Sequence, residues 1–196
     1  DVIRFDDGEM LWTSSTGLTT QPTTLYFVMK GMSNDGNTQR PFIFYDSGNN
    51  QNQQMFLSSG GNWGFGAGGT SYQWGTSATY EGWGVWKVIF DGSSSEVAHN
   101  DVVLNVGDYG SGIATGNFHL GGHASWGSNY CNGCEFAEFI GFNSHLTETE
   151  DDNVYEYLYE KWFDDGGLSV TTTTKELSNP LIEDTHADVS DEWHHY

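Results

Sequence analysis

Glu135 to Phe163 reads EFAEFIGFNSHLTETEDDNVYEYLYEKWF and predicts a β-strand followed by a short amphipathic helix. The apolar strand ends at Asn143-Ser144, and Thr147 and Glu150 then stand at the spacing of a capping box. In a capping box each side chain bonds to the other residue's backbone N–H, which fixes the start of a helix. Apolar residues then recur at helical spacing and predict one face that packs on a sheet: Val154, Tyr157, Leu158 and Trp162.

The same stretch resembles part of a known family. Its segments AEFIGFN, HLT and YLYEKW resemble the closing strand and helix of laminin-G-like domains in the concanavalin A-like lectin and glucanase superfamily. Upstream segments resemble earlier strands of such domains and follow in the expected order: Leu25–Lys30, Val85–Gly92 and Asn117–Gly122. The resemblance extends from about Phe5 to Phe163 and implies a two-sheet jelly-roll sandwich.

Composition independently favours a β-sandwich. The 196 residues include 26 glycines and 15% aromatic residues, and short β-favouring runs alternate with Gly, Ser and Asn clusters. We expect an all-β, two-sheet antiparallel jelly-roll sandwich at 1–165 with one short helix, and an extended acidic arm at 166–196. The expected core contains these bulky side chains: Trp12, Phe27, Phe44, Phe56, Trp86, Phe90, Phe118, Phe139 and Phe142.

The charge balance excludes several classes of partner. Six Lys and Arg stand against 27 Asp and Glu, which gives a formal net charge of −21. Nucleic acids and anionic membrane surfaces both require cationic contacts, so neither is an expected partner. No apolar run in the sequence has the length of a membrane span. The acidity is compatible with plain solubility, with divalent-cation binding or with a basic partner.

The segment after Gly167 differs in character from the rest of the chain. Leu168–Thr174 is a β-favouring run, and the residues beyond it are acidic without a periodic apolar face. Such an arm is expected to pack on its own sandwich or on a neighbouring subunit, and we favour the neighbour. The expected anchors are the apolar residues of the arm: Leu177, Leu181, Ile182, Val189 and Trp193.

Cys131 and Cys134 form a C-x-x-C motif in an Asn/Gly turn before a predicted strand. A thioredoxin-type redox pair opens a helix instead, and one C-x-x-C provides only half of a four-ligand zinc site. A local disulfide is the favoured interpretation in the oxidising environment that the family resemblance implies. A pair of reduced thiols is the alternative.

Because the superfamily includes glucanases, paired carboxylates are the test for catalysis. Retaining glycosidases need two carboxyl groups about 5–5.5 Å apart. The laminarinase-like motif E-x-D-x-x-E is incomplete at Glu150–Tyr155, which belongs to the predicted helix, and the alginate-lyase motif Q-x-H is absent. Glu135 and Glu138 share a strand, but their offset of three predicts opposite faces. We therefore expect no enzymatic activity.

Calcium is the metal that the resemblance implies. Related domains hold it with loop carboxylates, carbonyls and amides, the hard oxygen ligands that the ion prefers. His119 and His123 flank a Gly-Gly pair, so they are better interpreted as ordinary polar residues than as metal ligands. The candidate calcium ligands lie in loop-like segments: Asp46, Asn49 and Asp108, followed by Asn50 and Asp101.

Glycan binding requires flat aromatic rings beside amides, because rings contact sugar C–H groups and amides bond to hydroxyls. Loop-like segments supply both, although such rings can also serve core packing. We expect a non-catalytic extracellular or virion-associated module that binds a glycan or glycoprotein. The alternative is a structural subunit of a virion or surface assembly, held together by the arm. The predicted sugar-binding residues are Trp63, Trp74, Trp126 and Tyr130.

Overall fold

The computed structural model describes residues 1–6, 8–14, 16–18, 20–32, 35–45, 53–68, 72–74, 82–113, 116–122, 130–164 and 168, with the backbone alone at 72–74. Within these ranges the chain forms two six-stranded antiparallel sheets and one α-helix. This architecture confirms the prediction of an all-β sandwich with one short helix. The predicted arm, including Leu181, Ile182 and Trp193, lies outside the described residues except for Leu168.

The two sheets and the helix are bounded as follows. The first sheet contains, in spatial order, β1 (Ile3–Phe5), β12 (Cys134–Phe142), β3 (Thr23–Lys30), β8 (Trp83–Phe90), β9 (Ser95–His99) and β10 (Val102–Gly107). The second contains β2 (Leu11–Thr13), β11 (Asn117–Leu120), β4 (Gln39–Tyr45), β5 (Gln53–Leu57), β6 (Trp63–Ala67) and β7 (Tyr72–Trp74). Helix α1 is Glu148–Tyr159, and a π-helical turn at Glu160–Asp164 continues it. None of the helices in the described ranges has the length and apolar content to span a membrane.

The core lies between the sheets, where alternate residues of each strand point inward. Phe27 of β3 is fully buried at its centre. Its ring is nearly parallel to that of Trp86 on β8, at 6.2 Å, and to that of Phe139 on β12, at 5.7 Å. Phe42 of β4 meets Phe27 edge-on at 5.4 Å. This ring contact joins the second sheet to the first.

Three residues that the sequence assigns to the core lie elsewhere. Phe56 alternates with inward-pointing neighbours on β5 and so lies on the outer face of the second sheet. Phe142 packs under the helix, on the outer face of the first sheet. Trp12 is 62% exposed on β2. Bulk alone does not decide the position of a ring, because strand alternation decides which face it takes.

Helix α1 covers the outer face of the first sheet. The predicted capping box is present: the Glu150 N–H donates to Thr147 Oγ1, and the Thr147 N–H donates to the Glu150 carboxylate at 2.9 Å. Leu158 is fully buried in the cluster that joins the helix to the sheet. Tyr157, predicted for the same apolar face, is 45% exposed instead, because its hydroxyl donates to the Glu138 carboxylate on β12.

Cys131 and Cys134 form a disulfide in the turn that leads into β12. Both residues are buried. The Cys131 N–H donates to the Gly121 carbonyl at the end of β11, at 2.8 Å, and the Gly133 N–H donates to the Phe5 carbonyl on β1, at 2.8 Å. The turn closed by the disulfide therefore connects the two sheets at one end of the sandwich.

Replacing Phe27 by Ala is expected to lower the free energy of unfolding by about 3–5 kcal/mol, because it leaves a cavity between two large rings. The matched control is Trp12→Ala, which removes a large ring from an exposed position and is expected to change stability by about 0.5 kcal/mol or less. Urea denaturation followed by circular dichroism measures both changes. Equal destabilisation by the two substitutions would contradict the position of Phe27 at the centre of the core.

Candidate ligand-binding site

Trp63, one of the rings predicted to bind a sugar, belongs to the core instead. It is 2% exposed, and its ring centroid lies 5.3 Å from that of Trp86. Strand alternation explains this position, because Trp63, Phe65 and Ala67 of β6 all point between the sheets. A buried indole presents no face to a sugar, so this part of the prediction is wrong.

The other predicted rings are not assembled into one site by the part of the chain that the structure describes. Trp74 ends β7 and pairs with Gly64, but its side chain lies outside the described part. Trp126 lies outside it altogether. Tyr130 is half-buried beyond the end of β11, packed so closely on Gly122 that a Cβ there would contact its ring. A sugar site at these three residues stays a prediction.

The outer face of the second sheet carries a row of paired side chains. His119 lies between two inward-pointing residues of β11 and therefore points outward. Its directly opposite partner on β2 is Trp12, which shares that face. On its other side His119 pairs with Ile43 of β4, which pairs with Gln54 of β5. The row crosses four neighbouring strands.

Only one end of this row is open to solvent. His119, Ile43 and Gln54 are buried, so the middle of the sheet is not a free surface. Trp12, at 62%, has the largest exposed fraction among the described large hydrophobic side chains. The row therefore ends in an indole that is accessible to a ligand.

Two polar side chains lie on the same face as this indole, one and two strands away from Trp12. Asn117 of β11 and Tyr45 of β4 are directly paired and half-buried. Each lies two residues along its strand from the His119 row, a displacement of about 7 Å. We refer to Trp12, Tyr45 and Asn117 as the Trp12 surface.

The Trp12 surface offers both kinds of contact that a sugar needs. The indole face is suited to C–H groups, and the Tyr45 hydroxyl and the Asn117 amide can each donate and accept hydrogen bonds. Burial lowers the pKa of His119, the partner of Trp12, so its imidazole is neutral at pH 7. The surface is therefore aromatic, polar and uncharged.

Arg40 lies on the same face of the second sheet but away from the Trp12 surface. Its Nε donates to the Gln54 side-chain oxygen at 2.9 Å, and its guanidinium lies 6.0 Å from the centre of the Phe56 ring. The Phe56 ring in turn covers Gly64, where a Cβ would overlap it. Arg40 is half-buried. Its guanidinium therefore contacts Gln54 and Phe56 of β5.

The calcium prediction can be compared with the structure at Asp108, because Asp46 and Asn49 lie outside the described residues. Asp108 is exposed after β10, and its Oδ1 accepts a hydrogen bond from the Gly110 N–H at 2.9 Å. This is the geometry of an Asx turn. Among the described residues, no three His, Cys, Asp or Glu side chains converge as a metal site. Calcium binding stays a prediction.

Glu135 and Glu138 lie on the same face of the first sheet, whereas their spacing predicts opposite faces. A β-bulge between Phe136 and Glu138 inserts an extra residue and shifts the alternation of β12. As a result Phe136 and Phe139 both point into the core, and both glutamates point outward. Glu135 there accepts a hydrogen bond from Lys30 at 3.2 Å.

The Glu138 carboxylate holds the helical segment to the sheet. It accepts hydrogen bonds from the Tyr157 hydroxyl at 3.0 Å and from Trp162 Nε1 at 2.7 Å, and it lies 3.0 Å from Lys161 Nζ. Burial raises the pKa of Glu138, but these hydrogen bonds and the Lys161 charge outweigh burial and lower it. A general acid needs a raised pKa, so Glu138 is not suited to that role.

No family model and no curated protein matches this chain. Solved structures do match, and they are jelly-roll lectin-like domains. The CBM40 module of the Ruminococcus gnavus IT-sialidase, bound to α2,3-sialyllactose, is 14% identical, with a TM-score of 0.59 over 79% of this chain and 96% of that one. The SAP-like pentraxin of Limulus polyphemus is 18% identical, with a TM-score of 0.59 over 79% of this chain and 81% of that one.

Two further neighbours have the same architecture. Domains LG4-5 of the mouse laminin α1 chain are 11% identical, with a TM-score of 0.57 over 76% of this chain and 43% of that one. The binding domain of botulinum neurotoxin serotype G is 9% identical, with a TM-score of 0.58 over 81% of this chain and 45% of that one. The chain thus has the concanavalin A-like, laminin-G-like jelly-roll fold that its closing strand and helix predict.

The contacts of Glu138 predict a pH dependence of stability. Because its pKa is lowered in the folded state, its stabilisation is complete above the unfolded-state pKa of about 4.3 and is lost as the pH falls through the folded-state pKa. In urea denaturation, the free energies of unfolding of wild type and Glu138→Gln should therefore differ most above about pH 5 and converge at lower pH. Glu156→Gln, on the exposed side of α1, is the control for the change in charge. A difference that grows on acidification would contradict the assigned contacts.

Proposed function

We propose that this chain is a non-catalytic recognition module that binds a glycan or glycoprotein through the Trp12 surface. The observation that carries the proposal is the position of Trp12, which is 62% exposed and points away from the core. Tryptophan is a residue that folding normally buries to a large extent. An exposed indole beside polar side chains is the kind of anchor that dominates recognition surfaces.

The backbone of this surface is well held, which favours binding with little loss of entropy. Trp12, Tyr45 and Asn117 lie on three neighbouring strands whose pairing continues into the core. Sites supported by paired strands keep their geometry better than sites on isolated loops. The ligand would therefore meet a preformed surface rather than order one.

The comparisons and the carboxylates support a binding role over a catalytic one. Several neighbours are named as binding domains, among them the Ruminococcus gnavus module bound to sialyllactose and the neurotoxin binding domain. On β12, Glu135 is engaged by Lys30, and Glu138 is engaged by the helical segment. The disulfide supports a location outside the reducing cytosol, so we propose that the chain acts extracellularly or on a virion surface.

Replacing Trp12 by Ala is expected to weaken glycan binding about tenfold or more, the loss of roughly 1.4 kcal/mol of ring contact. A glycan array probed with wild type and variant, followed by titration of the best-bound glycan, measures the change. Trp12→Phe is expected to retain part of the affinity. Tyr159→Ala removes a partly exposed ring from the helix on the opposite side of the sandwich and should have no effect. An array without binding, or binding unchanged by Trp12→Ala, would refute the proposal.

The same array tests the proposed calcium site. If Asp46, Asn49 and Asp108 hold a calcium ion that orders the binding loops, EDTA lowers glycan binding and added calcium restores it. Glycan binding that is equal with and without EDTA would refute the calcium site. It would not contradict glycan binding by the Trp12 surface.

A structural role in a virion or surface assembly is the second candidate, and the edge of the first sheet favours it. Among the described strands β10 is the last of that sheet, and its Val102, Val103 and Val106 are 45%, 50% and 60% exposed. Apolar edge strands invite pairing with another chain unless charge or proline protects them. We propose for this candidate that neighbouring subunits associate through β10 and the arm at 168–196, with Leu181, Ile182 and Trp193 as anchors.

If β10 mediates assembly, Val106→Lys is expected to shift the chain from an oligomer to a monomer in sedimentation velocity, because a charge on an edge strand opposes pairing. Val2→Lys adds the same charge at an exposed apolar position outside β10 and should leave assembly unchanged. A wild-type chain that sediments as a monomer at every concentration would exclude this candidate.

A further inference from the structure

The described cations of this chain are distributed unevenly between the two sheets. Of its six Lys and Arg residues, Lys175 lies outside the described part. Four of the remaining five lie on the first sheet or its helical segment, each beside a carboxylate. The pairs are Arg4 with Asp6 at 3.1 Å, Lys30 with Glu135 at 3.2 Å, Lys87 with Asp151 at 2.7 Å, and Lys161 with Glu138 at 3.0 Å.

The fifth cation, Arg40, lies on the second sheet, but its guanidinium contacts β5 and not the Trp12 surface. Arg40 lies two strands from Trp12 and three residues along β4 from Ile43, the residue of the His119 row on that strand. The strand spacing and the rise per residue put the Arg40 backbone about 14 Å from that of Trp12 and about 17 Å from that of Tyr45, which lies beyond Ile43 along β4. The guanidinium is held by Gln54 and by the Phe56 ring.

The surroundings of Trp12 provide no compensating positive charge among the described residues. Tyr45 and Asn117 are uncharged, and the buried His119 is neutral at pH 7. The charged residue that precedes β2 is Glu9, an exposed carboxylate. The chain as a whole carries a formal charge of −21, which opposes the approach of anions at low ionic strength.

We infer that the ligand of the Trp12 surface is an uncharged saccharide, an inference that rests on the proposed function. An acidic sugar would have to give up the hydration of its carboxylate or sulfate where none of the described side chains supplies a cation to replace it, which is unfavourable. A neutral sugar loses only hydroxyl hydration, which hydroxyl and amide groups restore. The ligand class therefore differs from the sialyllactose bound to the Ruminococcus gnavus module.

The inference is tested with an array of paired glycans that share a backbone and differ in one charged group. Suitable pairs are lactose and 3′-sialyllactose, and neutral and sulfated galactans. Wild type is expected to bind the neutral member at least about tenfold more tightly, with little change in that affinity between about 0.02 M and 0.5 M salt. Binding of the neutral member should fall in Trp12→Ala and remain in Arg40→Gln.

The outcomes separate this inference from the proposed function. Preference for the charged member, with affinity that falls at high salt and is lost in Arg40→Gln, would overturn the inference while leaving glycan recognition in place. Circular dichroism confirms that Arg40→Gln is folded, and Arg40→Lys, which keeps the positive charge, should restore binding in that case. An array blank for both members of every pair would refute the proposed function and this inference with it.

Discussion

The ring contacts around Phe27 are the constraint on which the rest of the structure depends. Phe27 stacks between Trp86 and Phe139 within the first sheet and meets Phe42 of the second sheet edge-on. Once these rings fix which residues point inward, alternation fixes every outward position on the same strands. On β4 the inward Phe42 makes Ile43 point outward, and the direct pairing of Ile43 with His119 and of His119 with Trp12 extends that direction to β11 and β2. The position of the Trp12 surface is thus defined by the core rather than by its own contacts.

The two outer faces of the sandwich then have different roles. The first is covered by α1, which Leu158 anchors and Glu138 clamps through Tyr157 and Trp162. It also holds the ion pairs of most of the described cations. The second face has an accessible indole at its edge, and the described side chains grouped with it, Tyr45 and Asn117, are uncharged. Because α1 covers the first face, the surface proposed for recognition lies on the second, and the strand carboxylates Glu135 and Glu138 are engaged by Lys30 and by the helical segment.

Local patterns in the sequence predict structure well wherever short-range contacts decide it. The capping box at Thr147 and the closing strand and helix depend on neighbours in the chain, and both are as predicted. Trp12 is predicted to be buried but is exposed, whereas Trp63 is predicted to be exposed but is buried. The face that each ring takes depends on pairing with β11 and with β5, which are distant in sequence. The bulge in β12, which turns Glu135 and Glu138 to one face, likewise depends on β3. Trp12 lies on a three-residue strand and is followed by Thr13 and Ser14, and this polar context is the sequence feature that indicates its exposure.

The close contact between Phe56 and Gly64 has an evolutionary consequence. A side chain at position 64 would overlap the Phe56 ring, so the two positions cannot change independently. Divergent sequences that preserve this face should keep glycine at 64 wherever an aromatic ring stands at 56, and a larger residue should appear only with a smaller partner. Such paired change would reveal relatives of this chain that overall identity fails to detect.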